Sequence, residues 1–165
     1  MIVPTIGTRI PQLKRALESA LEQRNCSTYI NVVINGNRYD RNLEKFLSFD
    51  RRITLSYLRQ PSVSQARSLG VRKTNTEFFA FLDDDDELLP HALETRLDVL
   101  QDLTLDLVVT DGFYKTVADL TPFMEHPPHP ANDLALAILR ENWLASAGAL
   151  FRSGRIEEKA FYNLP

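Results

Sequence analysis

Four aspartates and a glutamate, Asp83-Asp84-Asp85-Asp86-Glu87, follow directly on the apolar run Phe78–Leu82. Carboxylates this close repel one another and raise each other's pKa unless a cation neutralises them. Their oxygens are the hard ligands that magnesium, manganese and calcium take. Side chains alternate along an extended segment, so Asp83 and Asp85 share one side and Asp84 and Asp86 the other. The same run also reads as a solvated acidic turn before a helix near Pro90, whose dipole favours negative charge. The buried strand in front and Leu88-Leu89-Pro90 behind favour the metal reading.

Two more polar stretches end apolar runs: Thr5 to Arg9, and Asn35 to Arg38. In open parallel sheets, ligands bind on the loops that leave the carboxyl ends of the strands. Other reactive residues are less promising. His91, His126 and His129 lack metal-ligand spacing, and Cys26 reads as an ordinary thiol. Trp143 reads as packing in a late helix, and Asp111 as a loop-start aspartate that could also lie near a bound sugar.

The elements that must position these residues alternate in period. Met1–Val3 is apolar, and Leu13, Ala16, Leu17, Ala20 and Leu21 form one helical face with Pro11 in its first turn. Tyr29–Ile34 reads as a strand, Leu43, Phe46 and Leu47 as a short helix, and Ile53, Leu55 and Tyr57 as a half-exposed strand. A helix over Ser64–Lys73 turns Ala66 and Leu69 inward. Phe78–Leu82 and Leu105–Thr110 read as buried strands, with a helix between them that carries Leu93, Leu97 and Leu100 inward. Asp111–Asp133 is proline-rich and reads as a loop. Helical spacing returns at Leu134, Ile138 and Leu139, and Ala147–Phe151 reads as a last strand. Alternating strands and helices predict an α/β fold with a mostly parallel sheet covered on both faces.

At 165 residues the chain predicts a single domain. Hydrophobic residues at 44% and charged residues at 25% exclude a disordered or coiled-coil chain. No apolar run approaches the ~20 residues of a membrane helix. One cysteine excludes an internal disulfide, and the start has no signal-peptide pattern, which points to the cytosol. A net charge of −3 gives no case for nucleic acid as the partner.

A linked series runs through the chain. It starts with Pro4-Thr5, Ala16-Leu17-Glu18-Ser19-Ala20-Leu21-Glu22-Gln23 and Val33-Ile34-Asn35-Gly36-Asn37, and continues with Ser64-Gln65-Ala66-Arg67-Ser68-Leu69-Gly70 and Phe79-Ala80-Phe81-Leu82-Asp83-Asp84-Asp85-Asp86, with Pro90 beyond. In order and spacing this resembles the inverting family-two glycosyltransferases of the GT-A (Rossmann-like) fold. Their pattern runs P-T-Y-N-R, A-L-E-S-V-L-x-Q, V-D-D-G-S, A-R-N-x-G and F-L-D-x-D-D. The resemblance implies that Pro4, Thr5, Ile6, Arg9, Asn35, Arg67, Asp83 and Asp84 bind a nucleotide-sugar. Thr5 and its neighbours would line the pocket for uracil, thymine or guanine. Asn35 stands where an aspartate usually reads the base, and Ser68 replaces an asparagine. Asp83 and Asp85 match the D-x-D motif and would bind manganese or magnesium.

The same resemblance implies transfer of the sugar to a saccharide or lipid-linked acceptor, in cell-surface polysaccharide or lipopolysaccharide assembly. That work is expected in the cytoplasm, with peripheral association at the inner face of a membrane. Residues 1–110 would bind the donor and 111–165 would begin the acceptor side. The general base is expected after Pro165, so the chain as given should bind a donor yet transfer little. Leu150, Phe151 and Phe161 are then expected to lie exposed. Two rival readings are a non-catalytic or degenerate donor-binding fragment and a magnesium phosphohydrolase. The latter would want D-x-D-G-T near its first strand, whereas Asp85 is followed by Asp86-Glu87 on a later one.

Overall fold

The computed structural model describes residues 1–116, 118–124 and 145–161. Strands β1 (Ile2–Thr5), β2 (Ile30–Asn35) and β3 (Ile53–Leu58) form a parallel sheet in that order, with Thr5 beside Ile34 and Asn35 beside Leu58. Helices α1 (Ile10–Leu21), α2 (Leu43–Leu47) and α3 (Val63–Arg72) make the crossovers. Alternation along the strands divides the core. Val3, Val32 and Ile34 pack with Leu13, Leu17, Leu43 and Leu47 on one face. Ile2 and Val33 pack with Ala66, Phe79 and Phe81 on the other. Both faces are covered, as expected of a parallel sheet.

The tight geometry around β1 depends on two glycines. Gly7 has φ +71, and a Cβ there would come within 2.6 Å of Tyr39 Cβ. Gly70 of α3 lies so close to the sheet that a Cβ would sit 2.2 Å from Ile2 Cγ2.

The run Phe78–Leu82 is extended, but only Phe78–Phe79 forms a strand (β4). Its remainder lies parallel to β1 through an Ile2–Phe81 bridge, with Ile2 N donating to Ala80 O at 2.8 Å and Leu82 N to Ile2 O at 3.0 Å. Helix α4 (Ala92–Val99) and strand β5 (Leu107–Val109) follow, then a hairpin of β6 (Phe113–Lys115) and β7 (Leu120–Pro122). The chain returns as β8 (Ala149–Arg152), which lies antiparallel between β4 and β5. Arg152 secures it there. Its guanidinium donates to Leu100 O at 2.6 Å and to Glu77 at 3.1 Å, and sits 5.0 Å from the centre of the Phe78 ring.

Several expectations need correction. Leu105–Thr110 is not a buried strand: β5 covers three residues, with Leu107 exposed, because it pairs with β8 alone and forms the end of its sheet. Leu97 is only half-buried. The stretch after Asp111 holds a hairpin whose residues are all exposed. Leu150 and Phe151 are buried, because Phe151 stacks on Phe79 at 5.0 Å and Phe161 meets Phe81 edge-on at 5.0 Å. The helix expected from Leu134, together with His126, His129 and Trp143, lies outside the described residues.

Candidate functional site

The site grows from the carboxyl end of β1. Pro4 and Thr5 are buried strand residues, and Ile6 just beyond is half exposed. The Thr5 hydroxyl accepts from Gly7 N at 2.9 Å and donates to Asp84 Oδ2 at 2.5 Å. Arg9 immediately precedes α1, and its guanidinium spans two acidic residues. It pairs with Asp84 Oδ1 and reaches Asp85 Oδ2 at 2.6 Å. Asp84 is only 3% exposed, so both of its oxygens are satisfied by the protein. A buried carboxylate requires such partners, because its desolvation is otherwise prohibitive.

Asp83 and Asp85 are more exposed, at 39% and 47% of the side chain. The run is not extended, however: it turns at Asp84 and Asp85, with Asp86 N donating to Asp83 O at 3.1 Å. Asp86 is exposed and does not share a side with Asp84 as expected. Arg67, inside α3, donates to Asp83 Oδ1 at 2.9 Å and lies 5.5 Å from the centre of the Phe81 ring. Its Nε is buried without a partner. Arg15 of α1 reaches Glu87 at 2.9 Å. Three guanidinium groups thus face five carboxylates, an excess of negative charge. Asp86 registers it: partial burial, then the charges of Asp83, Asp85 and Asp84, push its carboxyl above the ordinary range.

Asn35 closes β2 one strand from Thr5, and Gly36 after it turns the chain at φ +111. Asn35 is 8% exposed and its Oδ1 accepts from Ser62 N at 2.8 Å. Ser62 caps α3, its hydroxyl accepting from Gln65 N. Along one edge the order is therefore Asp83, Thr5, Asn35, with α3 tied to both ends through Arg67 and Asn35. Thr5, Arg9, Arg67 and Asp83 to Asp85 are joined by direct polar contacts, while Asn35 stands one strand away.

Among the described residues, no three histidine, cysteine or acidic side chains converge to hold a metal ion. A cation carried in by a diphosphate needs only one or two protein carboxylates, since phosphate oxygens and water complete its shell. Asp83 and Asp85 meet that requirement in exposure and chemistry, whereas Asp84 is committed to Thr5 and Arg9. Asp111 follows β5 at the same sheet end as the Asp83 segment that follows β4, two strands away across β8. Its Oδ1 accepts from Gly112 N and from Met124 N at the base of the hairpin. His91 pairs with Glu94 at 2.6 Å on the surface. A cavity of about 240 Å³ that includes Cys26, Met1 and Phe78 shares no residue with the acidic run.

Two contacts escaped sequence reasoning. Arg15 neutralises Glu87, which five adjacent carboxylates in need of nearby cations could have suggested. Arg96 of α4 is 4% exposed, bonds Thr110 through Nε at 2.9 Å, and leaves Nη1 unpartnered. Burial lowers its pKa to about 10, and its place at i+3 from Leu93, beside Leu97 and Leu100, puts it on the inward face, a signal that its charge hides.

The surroundings of this site have counterparts among known proteins. The chain is 30% identical over 103 residues to an uncharacterized glycosyltransferase of Rickettsia bellii, a match that covers 62% of this chain and 15% of that protein. An uncharacterized glycosyltransferase of Rickettsia conorii is 28% identical over 103 residues, covering 61% and 17%. The chain therefore spans a small part of these relatives. Crystal structures of S. aureus TarS superpose with a TM-score of 0.75 in the complex with UDP, at 17% identity over 98% of this chain and 48% of that one. The complex with UDP-GlcNAc gives 0.75 at 18% identity, over 98% and 47%. At this identity the likeness shows the fold, a GT-A α/β architecture. No helix among the described residues is long and apolar enough to cross a membrane. The glycosyl transferase family 2 model matches residues 1–145, a stretch that takes in the three parallel strands, the acidic run and the three arginines paired with it, and the chain belongs to that family.

Proposed function

We propose that this chain is the donor-binding part of a glycosyltransferase, taking a sugar from a nucleotide-sugar to a saccharide or lipid-linked acceptor in cell-surface polysaccharide assembly. Asp83 and Asp85 hold manganese or magnesium, and Pro4, Thr5, Ile6, Arg9, Asn35, Arg67 and Asp84 shape the nucleotide-sugar site around them. The observation that carries this reading is the division of the acidic run. Asp84 is buried against Thr5 and Arg9, while Asp83, paired with Arg67, and Asp85, paired with Arg9, keep 39% and 47% of their side chains exposed. Family membership and the nucleotide-sugar complexes of TarS support the same reading.

The chemistry follows from the leaving group. A sugar departs from a nucleoside diphosphate only as negative charge on the diphosphate is compensated. The divalent ion, when bound, supplies that compensation as a Lewis acid, typically several kcal/mol. Asp83 and Asp85 orient the cation, and Asp84 keeps their loop in place through the end of β1. Arg67 and Arg9 are positioned beside the same carboxylates and add positive charge where phosphate oxygens arrive. Inversion also needs a base to take the acceptor hydroxyl's proton. The reading assigns residues 1–110 to the donor and leaves that proton to a residue outside them.

Calorimetry with manganese and nucleoside diphosphates tests the proposal. Wild-type protein is expected to bind only with the metal present, and Asp85→Ala to lose that binding while keeping its circular dichroism spectrum. Nucleotide binding that survives a chelator unchanged would overturn the metal role.

A further inference from the structure

Asn35 has a feature that its residue type alone does not show: the structure settles which end of its amide faces outward. Ser62 N donates to Oδ1 at 2.8 Å, and a backbone N–H can pair only with the oxygen. Nδ2 has no acceptor among the described residues, yet it is not among the buried polar atoms left without a partner. Its N–H bonds are therefore the polar group that Asn35 presents to an incoming ligand. Past the pair Thr5–Ile34, the next residues on the two strands are Ile6, half exposed, and Asn35. Gly36 follows with φ +111, and a Cβ there would meet the Pro61 ring at 3.3 Å. The amide thus has the half-exposed Ile6 and the turn at Gly36 as neighbours, an apolar and backbone ledge beside it.

Distance supports a nucleobase on this ledge. Asp83 leaves the segment on one side of β1, and β2 lies on the other. Two inter-strand steps span about 10 Å, the reach of a nucleoside from its diphosphate to the pairing edge of its base. Resting on the donor-binding reading above, we propose that Asn35 selects a base with a ring-nitrogen acceptor at the centre of its pairing edge. Cytosine N3 and adenine N1 are such acceptors. Uracil, thymine and guanine carry an N–H at that place, which would meet the Nδ2 donor head-on. A buried donor left unpaired costs enough to shift affinity about tenfold.

The test is calorimetry on the whole chain with manganese, comparing CDP with UDP and ADP with GDP at one salt concentration. The expected result is about tenfold tighter binding of CDP than UDP, or of ADP than GDP, and the two arms tell a pyrimidine ledge from a purine one. Asn35→Asp keeps size and the Ser62 contact but replaces the donor with an acceptor, so the preference should reverse. Asn35→Ala should bring the ratio toward one. Because each result is a ratio within one variant, a general loss of affinity does not disturb it. Wild-type protein that prefers UDP to CDP and GDP to ADP, or an Asn35→Asp ratio that does not move, overturns the inference alone. Absence of manganese-dependent binding for all four nucleotides overturns the donor-binding reading, and this inference with it.

Discussion

Asp84 differs from its neighbours in what it does for the protein. It is 3% exposed, and its carboxylate joins two elements, the end of β1 through Thr5 and the start of α1 through Arg9. Removing it strands the Thr5 hydroxyl but leaves Arg9, at 44% exposure, able to rehydrate. Asp84→Ala should therefore cost about 2 kcal/mol, below the full penalty of a broken buried pair. Urea unfolding measures this, and a loss under half a kcal/mol would contradict the anchoring role. The expected alternation fails past Asp84, because the chain turns at Asp84 and Asp85, with Asp86 N donating to Asp83 O at 3.1 Å. The acidic cluster at a strand end was legible in the sequence. The partners of Asp84 were not, since Arg9 and Thr5 lie 75 and 79 residues away. For Asn35 the residue type left donor and acceptor equally available, and only the arrival of Ser62 N decides between them.

At the scale of elements, helix α3 is the hinge of the site, since it carries Arg67 toward Asp83 and starts at the residue that orients Asn35. Its fit against β1 requires Gly70. Alanine would favour the helix by about 1 kcal/mol, but its Cβ would lie 2.2 Å from Ile2 Cγ2, and Ile2 is 1% exposed. Overpacking of this kind typically costs 1–3 kcal/mol. Gly70→Ala is expected to lower the thermal midpoint and to weaken nucleotide binding with it, and an unchanged midpoint would show that β1 yields. Helices α1 to α3 and strands β1 to β3 were legible because each holds a clean period: Leu13, Ala16, Leu17 and Ala20 for α1, and β-branched runs for β2 and β3. The remaining strands were harder. Apolar runs at Phe78–Leu82 and Ala147–Phe151 announce extended chain, but no local pattern tells that the second lies antiparallel beside the first. The hairpin at Phe113–Pro122 went unread because its residues are exposed on both faces and leave no alternation.

The whole molecule carries surface carboxylates that the folded chain holds in hydrogen bonds. Bonds from the Arg52 side chain hold Asp50 down at about 2, against an ordinary value of 3.8. Asn25, then His91, lower Glu94, and Thr104 lowers Asp102. A depressed carboxylate contributes stability above its unfolded pKa and loses it as pH falls through the folded one. Asp86, raised, works in the opposite direction and gives a little back on protonation. With three groups against one, the thermal midpoint is expected to fall between about pH 4 and pH 2. Asp50→Asn should flatten part of that slope, and a midpoint independent of pH across this window would refute the account. The position of β8 between β4 and β5 also has a meaning in time. Residues 1–72 contain the pairings among β1, β2 and β3 and the helices α1 to α3, so that part can start to form first. Phe78 and Phe79 must wait for Phe151 and Arg152, some 70 residues later. At ~5–20 residues per second of translation, that is ~4–14 s. Through that interval the nascent chain exposes an unpaired aromatic edge beside a sheet face that also awaits Ala149 and Phe151, which makes this edge the place where a chaperone would engage it.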